Sequence, residues 1–248
     1  MRSGGKIALT FDVDWCGDEV LNYTLDIIEN ADVRATIFMT HETPIIGKIR
    51  NNKNIELGVH PNFCKLLTGE SSSDGSNYMD IFQRILQIIP EARSFRSHAL
   101  TVNSHILMAC GKLGITHESN LYMPKYLNAA IKPYKYIDSK LTRVPFFWED
   151  DIHCMELSNG LAAGWDVHDW LKCDTDPKVF NFHPIHVFLN TEDLSRYEAA
   201  RAFFNDYRQL KTYINPSVLH GAGVFLRNLI KEAKEMKLQF SKVFDIIV

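Results

Sequence analysis

Lys6 to Trp15, KIALTFDVDW, is an apolar strand pattern that ends in two carboxylates, Asp12 and Asp14. If the strand runs on through Val13, its period of two puts both carboxylates on one side, where they can converge on a single cation or reacting group. Two like charges held together are costly unless a metal or a proton neutralises them, so the pairing predicts a functional site. The competing reading is a helix N-cap, with Asp12 or Asp14 accepting backbone N–H groups from a helix that starts near Gly17.

Outward from this stretch, strand and helix patterns alternate. Glu19 to Ala31 has helical spacing, Val33 to Thr40 reads as a strand, Glu42 to Asn52 as a weaker helix, and Ile55 to Val59 as a short strand before His60-Pro61. Cys64 to Ser76, rich in Ser and Gly, reads as an exposed loop, and Tyr78 to Ile89 as an amphipathic helix stopped by Pro90. A strand at Ser94 to Arg96, a helix at Val102 to Leu113, and strands through Ile115, at Leu141 to Trp148 and at Lys178 to Phe182 follow. Asn120 to Ser139 has no assignable pattern. Ser195 to Lys211 and Gly223 to Lys237 read as helices, with a last strand at Lys242 to Val248.

One regularity decides the architecture. Strand after strand ends in a polar, chemistry-bearing group: Asp12 and Asp14, His41, His60, Arg96 and His98, Glu149 to Asp151, and His183. In a parallel barrel all the carboxyl ends of the strands share one face, where active sites are built. The expected fold is therefore α/β, a (β/α) barrel with a polar mouth, formed by one domain over residues 1–248. A doubly wound open sheet is the alternative, but no Gly-rich phosphate loop follows the first strand.

The chain has 248 residues, 46% of them hydrophobic, enough for a large core, and its net charge of −3 provides no basic field for nucleic acid. Five scattered cysteines without a CxxC pair argue against a disulfide framework or zinc knuckle and predict a reducing, cytoplasmic location. No segment has the length expected of a signal peptide or transmembrane helix.

Asp14, His60 and His98 together supply one oxygen and two nitrogens, the donor set of a catalytic zinc or related divalent site with a position left for water. A lone histidine at a strand end is more often packed or hydrogen-bonded than metal-bound, but several on one face favour the metal reading.

These residues lie in segments that resemble a known family. TFDVDW is similar to the first motif of the NodB-homology polysaccharide deacetylases, carbohydrate esterase family four; LGVHPNF (Leu57 to Phe63) resembles their metal-binding His motif, RSHAL (Arg96 to Leu100) their Arg-containing motif, and FHPIH (Phe182 to His186) the motif with the catalytic His. The resemblance covers about residues 6 to 190, and its specificity lies in order and spacing. It implies an irregular, seven-stranded barrel, Asp12 as general base, Asp14 and His60 as metal ligands, Arg96 orienting Asp12, His183 as general acid, a divalent ion with zinc foremost, and an N-acetylated sugar or glycan as substrate.

One departure from the family and one duplicated motif bear on the site. Cys64 stands where the family commonly has a second His, so the third ligand is His98, Asp74 or Cys64; His98 is favoured because a strand would put it on the same face as Arg96. WEDD (Trp148 to Asp151) and WDVHDW (Trp165 to Trp170) both resemble the fourth motif; WEDD is preferred because it follows a strand directly, with Asp150 supporting Arg96 or the substrate. An acidic helix start is the other reading of WEDD. The missing His gives weight to one rival function, a sugar-binding relative without catalysis; a metal hydrolase acting on a small non-sugar amide is a second.

Overall fold

The computed structural model describes residues 5–14, 16–70, 75–127, 129–137 and 140–248. Among the described residues ten strands form one sheet: β1 (Lys6–Asp12), β2 (Ala35–Met39), β3 (Ile55–Val59), β4 (Ser94–Phe95), β5 (His117–Glu118), β6 (Tyr134–Lys135), β7 (Thr142–Arg143), β8 (Trp148–Glu149), β9 (Lys178–Phe182) and β10 (Gln239–Phe240). Every pairing is parallel except β6 with β7. Strands such as KVFNF in β9 and ATIFM in β2 are buried throughout, as near-continuous apolar runs in a parallel sheet covered on both faces should be.

The single strand expected at Leu141 to Trp148 is two short ones. The chain pairs with β5 as β7 and then with β9 as β8. Between them stands Pro145, which has no N–H to give the ladder. Val144 N–H still donates to Glu118 O (2.7 Å), and Phe146 N–H donates to Leu121 O (3.0 Å). β1, β2, β3, β4, β5, this interrupted strand and β9 thus complete a ring of seven positions, an irregular (β/α) barrel.

Helices Asp18–Ala31, Pro184–Leu189 and Ala222–Glu235 pack together outside β1 and β9. The amino end of the barrel is plugged by the C-terminal segment, where the expected last strand is absent. Val243 N–H donates to Thr36 Oγ1 (2.9 Å) and Phe244 N–H to Glu56 Oε2 (3.0 Å), while Val243 and Ile246 join a small apolar cluster with Phe38 and Phe146. Those side chains take the backbone N–H groups that a strand would need; only Gln239–Phe240 pairs, with β1.

Two other expectations change. Cys64 to Ser76 opens with a helix, Cys64–Thr68, started by Asn62 Oδ1 accepting Cys64 N–H (2.9 Å). The helix expected over Ser195 to Lys211 is broken into Leu194–Ala200 and Tyr207–Leu210, because Asp206 caps a new start by accepting Arg208 and Gln209 N–H (both 3.1 Å). Among the described residues no helix is long and apolar enough to cross a membrane.

Candidate active site

The parallel ring delivers its strand ends to one face, but the two carboxylates of the first stretch do not converge by strand alternation. β1 stops at Asp12, and Asp14 follows in the left-handed region (φ 44°), a conformation that Asp tolerates better than most residues. Nor do they cap a helix: the next one starts from Gly17 without a side-chain cap. The turn brings Asp14 Oδ1 to 3.0 Å from His60 Nε2 and 3.0 Å from His98 Nδ1. His60 follows β3 directly, its N–H donating to Met39 O (2.8 Å).

His98 arrives by a different route from the one the sequence implied. β4 ends at Phe95, so Arg96 and His98 do not share a strand face; His98 opens a 3₁₀ turn, with its N–H on Pro61 O (3.0 Å). Two left-handed residues, Ala99 and Leu100 (both φ 52°), complete that turn.

The donor atoms of Asp14, His60 and His98 lie within 4.8 Å of one another. Their 3.0 Å separations are near the edge length, about 3.3 Å, of a coordination tetrahedron with bonds of about 2.0 Å. His60 Nδ1 is buried without a hydrogen bond, 3.7 Å from Asp12 Oδ1. Metal-bound histidines commonly turn their second nitrogen to a carboxylate in this way. Burial pushes the Asp14 carboxyl up, but the bonds to His60 and His98 and the charges of His60 and His183 outweigh it, holding Asp14 well below the usual carboxylate range. An anionic oxygen and two imidazoles fit a divalent ion.

Asp12, almost wholly buried, is held from two sides. Arg96 Nη1 donates to its Oδ1 (3.3 Å) and Asn181 Nδ2 to its Oδ2 (2.9 Å). Arg96 is itself fully buried, donating through Nε to Ser119 O (2.5 Å) and through Nη2 to Ser119 Oγ (2.8 Å), with its guanidinium over the Phe38 and Phe146 rings. A buried cation needs such pairing to offset its desolvation.

Asn181 is a site residue that the sequence reading missed. It sits on β9, in register with Thr10 of β1 and Glu149 of β8. Its Oδ1 accepts from Arg96 Nη1 and from Thr10 Oγ1 (2.8 Å), which fixes the amide orientation and leaves Nδ2 to serve Asp12 and Glu149 Oε1 (2.8 Å). The available signal was a polar residue inside the apolar strand KVFNF, two before His183. Asn181→Asp keeps the shape and the acceptor for Arg96 and Thr10 but removes both N–H donors. It is expected to lower kcat about 10-fold or more while KM moves less than about 3-fold, measured by steady-state turnover.

His183, at the end of β9, is oriented by Asp150. Its Nδ1 lies 2.7 Å from Asp150 Oδ1, and its N–H donates to Asp150 Oδ2 (2.8 Å). Asp150, expected to support Arg96 or the substrate, is placed against His183 instead of Arg96; the strand pairing of β8 with β9 puts it beside His183. Burial lowers the His183 pKa, but the charge and hydrogen bond of Asp150, with Asp151 and Asp14 behind them, raise it well above the ordinary histidine value. Its Nε2 faces Asp14 Oδ2 (3.5 Å) and Glu149 Oε1 (3.8 Å). Burial and the charge of Asp151, with a smaller push from Asp12, hold the Glu149 carboxyl well above its usual range against the pull of His183 and Arg96.

The other candidates stand apart. Cys64 Sγ lies 3.9 Å from Thr101 Oγ1 and in none of the described metal-ligand groups, and Asp74 falls outside the described residues. WEDD is at once the end of β8 and the acidic start of helix Asp150–Ser158, whereas in WDVHDW Asp166 caps its own short helix by accepting His168 N–H (3.0 Å). His41, with Nδ1 2.8 Å from Thr40 Oγ1, lines another cavity of about 600 Å³, which His60 also borders. The site itself opens into two smaller cavities of about 280 and 290 Å³.

A seven-position parallel barrel with a metal-ligand group and an oriented imidazole at its mouth is the architecture of the carbohydrate esterase family four deacetylases. The model of the WbmS-like polysaccharide deacetylases matches residues 9–201, and the chain belongs to that family. It is similar to a candidate polysaccharide deacetylase of Bordetella bronchiseptica involved in O-antigen biosynthesis, with 38% identity, 92% of this chain and 91% of that one covered, and a TM-score of 0.83. The fold is shared more distantly with the Xyl-CE4 domain of a multidomain xylanase from the hindgut metagenome of Trinervitermes trinervoides (16% identity, 98% and 89% covered, TM-score 0.51). It is likewise shared with the Bc1960 peptidoglycan N-acetylglucosamine deacetylase (13% identity, 98% and 87% covered, TM-score 0.50). No curated protein matches the chain.

Proposed function

We propose that this chain is a metal-dependent hydrolase that removes the acetyl group from an N-acetylated sugar or glycan. The observation that carries the reading is the convergence on one barrel mouth of a three-ligand group, a carboxylate held from both sides and an imidazole oriented by Asp150. Asp14, His60 and His98 would hold the ion, with zinc favoured by the mixed oxygen and nitrogen donors. When bound, a divalent ion supplies Lewis acidity to a water and to the amide carbonyl.

Asp12 takes the proton of the attacking water. Arg96 and Asn181 each occupy one of its oxygens, which fixes the direction of the remaining lone pairs. His183, charged through Asp150, donates a proton from Nε2 to the departing amine. The products are acetate and a free amino sugar. The likeness to a protein of O-antigen biosynthesis favours a surface polysaccharide or its precursor as the glycan.

The test is metal analysis of the purified protein together with acetate release from N-acetylated sugars before and after treatment with a chelator. About one divalent ion per chain is expected, with activity abolished by the chelator and restored by zinc. A metal-bearing protein that releases no acetate from any acetylated sugar would favour a binding role instead.

A further inference from the structure

Hydrolysis by Asp12 and His183 leaves both groups in the wrong protonation state for a second cycle. As the water's O–H bond breaks and its oxygen bonds to the carbonyl carbon, the proton passes to Asp12; as the C–N bond breaks, the nitrogen takes the proton of His183 Nε2. Acetic acid and the amine depart, and in solvent they ionise to acetate and ammonium. Asp12 is then a neutral acid and His183 a neutral imidazole, so one proton must pass from the first to the second before the next turnover. Asp12 is 2% exposed and His183 7%, which restricts direct exchange with solvent.

Glu149 stands between them. This carboxyl, at the end of β8 and 5% exposed, takes part in neither bond change, yet one atom each from Asp12, Glu149 and His183 all lie within 4.8 Å of one another. The Asn181 amide ties the two carboxyls together, its Nδ2 donating to Asp12 Oδ2 (2.9 Å) and to Glu149 Oε1 (2.8 Å). That same Oε1 lies 3.8 Å from His183 Nε2, about 1 Å beyond hydrogen-bond length. Glu149 Oε2 makes no hydrogen bond among the described residues, and Glu149 lines the cavity of about 280 Å³ together with Asp12 and His183.

Two buried carboxyls this close are costly to ionise together, so the pair is stable when it carries one proton. Burial and the charge of Asp151 favour placing that proton on Glu149. As an acceptor for Asn181 alone Glu149 would need no ionisable group, since an amide oxygen accepts as well.

We propose that Glu149 is the proton-return residue of this site, a neutral carboxyl at rest that gives its proton to His183 Nε2 once the amine has left and takes up the proton held on Asp12. No co-reactant enters, and each cycle restores all three groups to their starting charge.

The role rests on the deacetylase reading, and the two fail differently. Glu149→Gln keeps the shape and an oxygen acceptor for Asn181 but has no transferable proton. The first measurement needs no sugar: the infrared difference between the metal-loaded parent chain and Glu149→Gln is expected to contain the C=O stretch of a protonated carboxyl. The second follows acetate release by rapid mixing, with the N-acetylated sugar that the parent chain turns over fastest. Glu149→Gln is expected to release about one acetate per chain in a burst within about 3-fold of the parent rate, then to turn over at least about 10-fold more slowly than the parent chain. Glu149→Ala should regain turnover several-fold in formate buffer, whose small carboxyl fits the vacated space. A missing carboxyl band, steady turnover of Glu149→Gln within a factor of about two of the parent chain, slow release from the first turnover onward, or no rescue by formate would overturn this role and leave the deacetylase reading in place. A parent chain that releases acetate from no N-acetylated sugar would sink both.

Discussion

Replacing Asp12 by Asn is expected to leave the fold and the metal in place and to lower turnover on the order of 10²- to 10⁴-fold, the range associated with losing a general base. Asn keeps the size of Asp and can still accept from Arg96 Nη1 through its carbonyl oxygen, so the packing around the buried guanidinium is preserved. What it loses is the basic lone pair directed at the water. The Asn181 amide then faces either another N–H or the same carbonyl, a local change that does not reach His60 Nε2 or His98 Nδ1. The measurements are acetate release, metal content and a thermal melt on the same preparation. Turnover within a factor of two of the parent chain would remove Asp12 from the reaction.

His60→Ala is expected to empty the metal site and take activity to background. Asp14 Oδ1 would keep a single imidazole partner, His98, and two ligands do not hold a divalent ion as three do. Loss of a group that merely supports a ligand typically costs about 10- to 100-fold in metal affinity, so loss of a ligand itself should exceed that. His98→Ala should behave in the same way, and Cys64→Ser, whose sulfur lies near Thr101 and is not part of the Asp14 ligand group, should retain the ion. Metal analysis after dialysis decides it: full occupancy in His60→Ala, or loss in Cys64→Ser, would show that the ion is held by a different set.

The barrel was legible in the sequence because parallel strands buried on both faces must be apolar throughout, and what ends them must be polar. Ile55–Val59 and Lys178–Phe182 carry that signal in five residues each, with His60 and His183 immediately after. The same logic located Asp12 and Arg96 at strand ends. It could not say how Asp14 and His98 reach each other, because both leave their strands through left-handed or 3₁₀ turns whose direction depends on neighbours far along the chain. The period-two argument named the right neighbourhood for the wrong geometric reason.

What the sequence by itself determined is therefore the local part: an alternating β/α chain, a row of polar strand ends, and the family motifs they form. Only the tertiary structure decided the partners. Asp150 turned to His183 because β8 pairs with β9, and Asn181 became the link between Asp12, Arg96 and Glu149 because β1, β8 and β9 align Thr10, Asn181 and Glu149 in one register. Val243 and Phe244 closed the barrel's amino end because Thr36 and Glu56 took their N–H groups. Periodicity reports which way a side chain faces within its own element, whereas a hydrogen bond across more than 160 residues is set by strand register, which no local pattern encodes.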